Sequence, residues 1–160
     1  MIRRAAPGDT ERLNELLYQV QDVHAQARPD IFKIGSKKYT TEELEAIIAD
    51  DRTPIYVYET DGVIRGYAFC IYQVTEETKQ LHYRKTLYID DLCVDQAERR
   101  KHIGEALFSH VMEEARKNRC SSVILNVWAL NQPAESFYRK MGMQPLKTTM
   151  ETRIPENARE

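Results

Sequence analysis

Two short segments of the chain combine residue types that could bind an anion and move a proton. Residues 95–106 hold three consecutive basic side chains, at 99–101, just before Gly104. Residues 126–143 hold Tyr138 among apolar residues at helical spacing. Cations beside a glycine are typical of phosphate binding. A phenol is a proton donor at neutral pH, because its usual pKa is about 10.

The basic loop leads into a predicted helix over 104–118. The N-terminus of a helix offers main-chain N–H groups without helical acceptors and the positive end of the helix dipole, and both favour a phosphate. Gly104 lets a ligand approach the main chain closely. The segment alone fits a solvated basic run with a glycine turn equally well. Two common phosphate loops, Gly-x-x-x-x-Gly-Lys-Ser/Thr and Gly-x-Gly-x-x-Gly, are absent from the sequence.

The second segment predicts a helix over 133–141. Pro133 suits the first helical turn, and Gly142 suits a C-terminal cap. Without the rest of the chain, we interpret Tyr138 as a core residue whose hydroxyl has a hydrogen-bond partner, and Asn131 as a helix cap. Their functional interpretation therefore depends on the rest of the chain.

Apolar spacing along the chain predicts the elements that position these segments. The predicted strands cover 1–5, 54–58, 63–74, 87–94, 122–128 and 146–154, and two further helices follow Asp9 and begin at 41. Asp61 and Gly62 indicate a hairpin turn. The strand–helix–strand unit over 87–128 makes a right-handed crossover between parallel strands the default. The fold class is therefore mixed α/β (α+β), antiparallel first and then parallel, with helices on both faces.

Length and composition limit the function classes. The 160 residues predict a single domain over 1–160, and 42% hydrophobic with 30% charged residues excludes a disordered chain. A net charge of −2 argues against a nucleic-acid partner, and no apolar stretch is long enough to predict a membrane span. Cys70, Cys93 and Cys120 are expected to be free thiols in the cytoplasm, and no ligand spacing indicates a metal.

The two segments, in this order and spacing, resemble the GNAT superfamily of acyl-CoA-dependent N-acyltransferases. The family's loop, Arg/Gln-x-x-Gly-x-Gly/Ala, corresponds to residues 99–104. The family's Asn-x-x-Ala-x-x-Phe-Tyr-x-x-x-Gly corresponds to Asn131, Ala134, Phe137, Tyr138 and Gly142. The match covers 85–145 closely, and the first half agrees in element order. The resemblance implies a GNAT-like sheet of about six to seven strands.

The chain departs from the family pattern at one position, where His102 replaces the first glycine of the loop. If that position needs a left-handed backbone, His adopts it more readily than most residues do. The loop is therefore expected to form. Weaker cofactor affinity and an imidazole that reaches the phosphates are the two open consequences.

The resemblance implies that acetyl-CoA is the acyl donor. No metal is predicted, because the sequence has no ligand spacing that indicates one. The cofactor would lie between the strand ending at Val94 and the strand ending near Trp128, with its pantetheine arm paired to main chain like an added strand. Its pyrophosphate would accept N–H bonds from residues 100–105. The cofactor-binding residues so implied are Leu92, Cys93, Val94, Arg99, Arg100, Lys101, His102, Ile103, Gly104, Glu105, Asn131 and Ser136.

The same resemblance implies direct attack of an amine on the thioester. Tyr138 would protonate the departing sulfur as general acid, and a main-chain N–H near Cys93 would stabilise the oxyanion. Asp90 is preferred over Asp91 as a water-mediated base, since related polyamine enzymes carry an acid there. The two carboxylates are expected on opposite faces of the strand, and an electrostatic or purely structural role for both stays open. Cys93 is expected to be a core residue.

The acceptor predicted from the resemblance is the primary amine of a small molecule. Residues 119–122 and 131–133 are similar to polyamine and thialysine acetyltransferases. A peptide N-terminus or lysine is the first alternative, and a non-catalytic acyl-CoA-binding regulatory module, motivated by His102, is the second. Residues 1–80 would form the acceptor-side half, with His24 and the loop 28–39 near the acceptor, and residues 85–145 the acyl-CoA-binding core. A homodimer through the late strands is also implied.

Overall fold

A mixed sheet of five strands forms the centre of the structure, a computed structural model that describes residues 1–159. The strands are β1 (Ile2–Arg4), β2 (Ile55–Thr60), β3 (Val63–Thr75), β4 (Arg84–Val94) and β5 (Ser122–Leu125). The helices are α1 (Thr10–Ala27), α2 (Thr41–Ala49), α3 (Ile103–Lys117) and α4 (Gln132–Lys140). Neighbouring strands follow chain order, antiparallel from β1 to β4 and parallel between β4 and β5. The predicted fold class is confirmed, and β4 and β5 are parallel neighbours as expected.

The helices α1 and α2 cover one face of the sheet. Leu13, Leu16 and Leu17 of α1 are buried in one core cluster with residues of β2 and β3. A capping box starts α2: the Glu43 N–H donates to Thr40 Oγ1 at 3.1 Å, and the Thr40 N–H donates to the Glu43 carboxylate at 2.9 Å. This half of the fold therefore follows from local helical signals and one buried face.

The helices α3 and α4 belong to the opposite face. Leu107, Phe108 and Val111 of α3 are buried there with Ala68 and Ile89 of the sheet. The helix α4 has no fully buried residue. The buried contacts on this face therefore come mainly from α3, and α4 packs only partly against the core.

The parallel strands separate past their fourth paired residue. Ile89 pairs with Leu125, where β5 ends, whereas β4 continues to Val94. Among residues 1–159, no strand pairs with the β5-facing edge of residues 90–94. The main-chain groups along that edge are therefore available to a ligand that pairs like a strand. The strand expected to run to residue 128 is shorter, because the chain turns away after Leu125.

The expectation of six to seven strands is wrong: within residues 1–159 the sheet has five. The alternating apolar residues of segment 146–154 predict a strand, but among the residues that the structure describes this segment pairs with no strand. Its side chains Leu146, Met150 and Ile154 are 66%, 86% and 57% exposed. Ion pairs hold it instead, including Arg28 to Glu151 at 3.4 Å. An alternating pattern becomes a strand only where an edge accepts it.

Candidate functional site

The loop between β4 and α3 has the backbone conformation of an anion-binding loop. Asp95 starts it by accepting a 3.2 Å hydrogen bond from the Ala97 N–H, and an ion pair to Arg12 ties Asp95 to α1. Arg100 (φ 66°) and His102 (φ 60°) both adopt left-handed backbone. His102 therefore takes the conformation for which the family pattern has glycine, as expected.

Within residues 1–159, the main-chain N–H groups from Arg99 to Glu105 donate to no protein acceptor. The first helical bond at this end of α3 is the 3.0 Å contact from the Ala106 N–H to the His102 carbonyl oxygen. Left-handed residues alternating with others turn successive N–H groups to one side and form a nest for anions. With the helix dipole behind it, this nest fits a pyrophosphate.

The charged side chains of the loop divide into paired and unpaired groups. Lys101 binds Glu98 at 2.7 Å. Glu105 accepts from Lys140 at 2.7 Å, and its carboxylate lies 3.1 Å from His102 Nδ1. The hydrogen bond from Lys140 is the main reason that the pKa of Glu105 is lowered. Arg99 and Arg100 pair with no carboxylate among the described residues. Two cations thus remain for an external anion.

Gly104 has a packing role that the sequence did not reveal. A Cβ atom there would lie 3.4 Å from the Phe137 ring and 3.7 Å from Val94. Gly66 on β3 is tighter still, since its Cβ would lie 2.8 Å from the Cys93 carbonyl oxygen. Both glycines let β3, the end of β4, α3 and α4 come close together behind the loop.

A bulge in β4 places Asp90 and Asp91 at the start of the unpaired edge. Phe69 pairs with Asp91 and Cys70 with Ile89, so Asp90 has no partner on β3. The bulge breaks the strict alternation on which the expectation of opposite faces rests. Asp90 accepts a 3.2 Å bond from Lys38 Nζ, and Asp91 accepts a 2.8 Å bond from the Tyr67 hydroxyl.

The pKa of Asp91 and the pKa of Lys38 are both raised at this corner, for different physical reasons. Burial raises the pKa of Asp91, and the Tyr67 hydrogen bond opposes that rise. Burial lowers the pKa of Lys38, but the charges of Asp90, Tyr39 and Asp91 outweigh it, so the pKa of Lys38 is raised. Lys38 and Tyr67 were missed from sequence. Tyr67, a hydroxyl-bearing residue within the apolar part of β3, carried a usable signal, and Lys38 carried none.

Tyr138 lies on α4 against two aromatic rings. Its ring centroid is 5.1 Å from that of Phe137 and 6.3 Å from that of Phe108. Burial and the nearby Asp91 and Cys93 groups raise the pKa of Tyr138. Within residues 1–159 its hydroxyl makes no hydrogen bond with protein atoms. The phenol is therefore a protonated donor without an internal acceptor.

The remaining predicted residues divide into structural and accessible positions. Asn131 caps α4 by accepting a 3.3 Å bond from the Ala134 N–H, and Ser136 is exposed on the same helix. Cys93 is buried in the core under α1 and α2, and burial is the main cause that raises its pKa to about 12. Its thiol therefore has the core position expected of it. Leu92 and Val94 lie on the opposite face, in the α3 core.

The loop between α1 and α2 contacts the segment that follows β5. The Phe32 ring contacts Trp128 edge-on at 5.6 Å and His24 at 5.1 Å. Asp30 in this loop also accepts from Arg153 of the C-terminal segment at 3.3 Å. An aromatic cluster and an ion pair therefore join this loop to the segments that follow β5.

Comparison with solved structures identifies close relatives of this fold. A mutant of the BH1408 protein from Bacillus halodurans superposes with a TM-score of 0.93, at 28% identity, covering 97% of this chain and 99% of that one. The aminoglycoside N-acetyltransferase AAC(6')-Iy in complex with CoA has the same fold, with a TM-score of 0.70 at 14% identity and 97% and 99% coverage. The fold is thus one that holds CoA in that enzyme.

Sequence comparison leads to the same family. A streptothricin acetyltransferase from Streptomyces lavendulae is 33% identical over 94 residues, which cover 59% of this chain and 45% of that relative. The match therefore spans less than half of the relative's length. The model of the acetyltransferase (GNAT) family, whose members use acetyl-CoA, matches residues 17–143. On that match, the chain belongs to the acetyltransferase (GNAT) family.

Proposed function

We propose that this protein transfers an acetyl group from acetyl-CoA to the primary amine of a small molecule by direct attack. The observation that carries the proposal is the unpaired β4 edge at 90–94, which has the N–H nest beyond one end and the acids at the other. An extended donor with amides and a pyrophosphate matches this arrangement in order along the chain. The family's common chemistry supplies the reaction type.

The donor would be held by main chain more than by side chains. Leu92, Cys93 and Val94 would pair with its pantetheine amides, and the nest from Arg100 to Glu105 would bind the pyrophosphate with help from Arg99. Asn131 would border the thioester through its main chain, since its side chain caps α4. Exposed Ser136 is a weaker contact in this proposal.

Tyr138 would act as general acid and Asp90 as base through water. The raised pKa of Tyr138 keeps the phenol protonated at neutral pH, so a proton is available for the departing sulfur. Asp90 is 28% exposed, which leaves room for a bridging water. A covalent route through Cys93 is disfavoured, because its raised pKa of about 12 leaves little thiolate at neutral pH.

The amine class of the acceptor rests on charge and on related enzymes. The carboxylates of Asp90 and Asp91 lie at the inner end of the unpaired edge, and their negative charge favours a cationic acceptor. A related fold belongs to an aminoglycoside N-acetyltransferase. The polyamine or thialysine leaning stays a prediction. A peptide N-terminus or lysine is the alternative acceptor, and a non-catalytic acyl-CoA-binding module is the alternative function.

Thermal unfolding with acetyl-CoA, ATP and NAD tests the donor site first. A ligand at about one hundred times its Kd adds about 2.7 kcal/mol, which raises the Tm of a chain this long by roughly 5–10 °C. A shift with acetyl-CoA alone supports the proposal, and thiol release with a panel of small amines then separates enzyme from binding module. No shift with acetyl-CoA contradicts the proposal.

We also propose a homodimer through the late part of the chain. The exposed, alternating side chains of Leu146, Met150 and Ile154 support it, as does the outer edge of β5, which no strand in residues 1–159 covers. A reducing, cytoplasmic location fits the three free cysteines. Among the described residues, none of the helices has the length and apolarity to cross a bilayer.

A further inference from the structure

The side-chain amine of Lys38 lies beside Asp90, where the proposed reaction requires the acceptor amine. Its Nζ atom is 3.2 Å from Asp90 Oδ2, although the two residues lie on different elements. Asp90 is the first residue of β4 past Ile89, the last one paired with β5. The ammonium therefore lies at the inner end of the unpaired edge.

The surroundings of Lys38 differ from those of its loop neighbours. Within residues 1–159, Lys33 and Lys37 form no ion pair, whereas Lys38 binds Asp90 and lies 5.4 Å from the Tyr39 ring centroid. The Lys38 side chain is 37% exposed, so it is neither sealed in the core nor free in solvent. Of these three lysines, only Lys38 has a carboxylate within reach of its protons.

We propose that Lys38 is an acetylation site that the protein modifies by itself, using Asp90 and the acetyl-CoA of its own site. This inference rests on the proposed function, because it uses the same donor and the same base. A lysine side chain is a primary amine, the acceptor class already assigned. A base must lie within hydrogen-bond distance of the proton that it removes, and Asp90 meets that condition for Lys38.

The transfer balances in atoms and protons. Asp90 removes one proton from the Lys38 ammonium and passes it to water. The nitrogen then forms a bond to the acetyl carbon, the C–S bond breaks, and the sulfur leaves with the proton of Tyr138. The second N–H proton returns to Tyr138 through water. The products are Nε-acetyllysine at position 38, the CoA thiol and one released proton.

Mass spectrometry of the full chain incubated with acetyl-CoA, without added amine, tests this inference. Lys37 is the matched internal control, because it is adjacent, exposed and without a carboxylate partner among the described residues. Fragment ions assign the acetyl group to either position. We expect Lys38 to be acetylated about a hundredfold faster than Lys37. The rate per chain should not change with protein concentration, and Asp90→Asn and Tyr138→Phe should reduce it to that of Lys37.

The outcomes separate this inference from the proposed function. Equal, slow acetylation of Lys37 and Lys38 in a protein that binds acetyl-CoA and acetylates small amines overturns the inference and leaves the proposed function intact. Absence of acetyl-CoA binding overturns both. Preferential modification of Lys38 that survives Asp90→Asn also overturns it, since the base would then play no part. Lys38→Arg should remove the adduct while Lys37→Arg leaves it unchanged.

Discussion

The Tyr67 hydroxyl donates a 2.8 Å hydrogen bond to Asp91, joining β3 to β4 beside the bulge. Tyr67 is fully buried, so its hydroxyl has no water to replace this partner. The bond favours the charged form of Asp91 and opposes the rise in pKa that burial causes. One tyrosine thus sets the electrostatics of the acid nearest the proposed base.

Tyr67→Phe should destabilise the protein by about 1–3 kcal/mol, because it leaves a partly buried carboxylate unpaired. The pKa of Asp91 is raised in the folded state, so its contribution to stability falls as pH rises from about 3.9 through the folded pKa. Losing the bond raises that pKa further. The reduction in unfolding free energy that Tyr67→Phe causes, measured by urea denaturation, should therefore be larger at neutral than at mildly acidic pH. Tyr18→Phe, on the exposed surface of α1, should leave the unfolding free energy unchanged at both pH values. Equal reductions at the two pH values in Tyr67→Phe contradict this account.

Tyr138→Phe should lower kcat at least about tenfold while leaving the Kd for acetyl-CoA nearly unchanged, as loss of a general acid requires. Steady-state thiol release and calorimetric titration measure the two quantities. Tyr83→Phe is the control, since Tyr83 is 54% exposed. Unchanged kcat in Tyr138→Phe would remove the residue from the mechanism.

Arg100→Gln should raise the Kd for acetyl-CoA at least about tenfold, because a charge-assisted hydrogen bond contributes about 1.5–3 kcal/mol. The difference from the parent protein should shrink with added salt, as screening weakens the lost contact. Arg116→Gln on α3 removes an equal charge away from the nest and should have no such effect. Equal weakening by both substitutions would mean that net charge alone governs binding.

His102→Gly should stabilise the fold by up to about 1 kcal/mol, since glycine adopts a left-handed backbone without the Cβ penalty. Arg119→Gly, at a second left-handed position (φ 59°), is the matched control. Both variants should gain Tm. Only His102→Gly, which also removes a 3.1 Å contact to Glu105, should change acetyl-CoA affinity. A matching affinity change in Arg119→Gly would contradict a local role for His102.

Met150→Asp should convert the proposed homodimer to a monomer, because a charge replaces an 86% exposed apolar side chain in the proposed interface. Analytical ultracentrifugation measures the mass of the species in solution. Met112→Asp, on exposed α3 surface, should leave the dimer intact. A monomeric parent protein contradicts the proposal directly.

Sequence reasoning succeeded where local signals decide the structure. The Asp61–Gly62 turn has φ 52° and 73°, as its type predicts, and the capping residues of α2 and α4 set those helices. His102 adopts left-handed backbone because the loop geometry requires it and histidine tolerates it. These features depend on a few neighbouring residues each.

Features that depend on distant partners were not predictable. The bulge at Asp90 is a property of the register between β3 and β4, which no spacing within β4 reveals. The contact from Lys38 to Asp90 joins residues 52 positions apart. The segment 146–154 has the pattern of a strand, but whether it pairs is decided by which edge is within reach.

β3 is buried more deeply than β5, so we expect the domain to open first at β5. Five consecutive residues of β3 are buried, and none of β5 or α4 is. Amide hydrogen exchange should therefore be slow across the β2–β3–β4 meander and fast in β5 and α4. The proposed donor site lies along the boundary between these two regions. A ligand bound there should stabilise the contact between the two regions and slow amide exchange in β5. Exchange in β5 would therefore report ligand binding without a measurement of turnover.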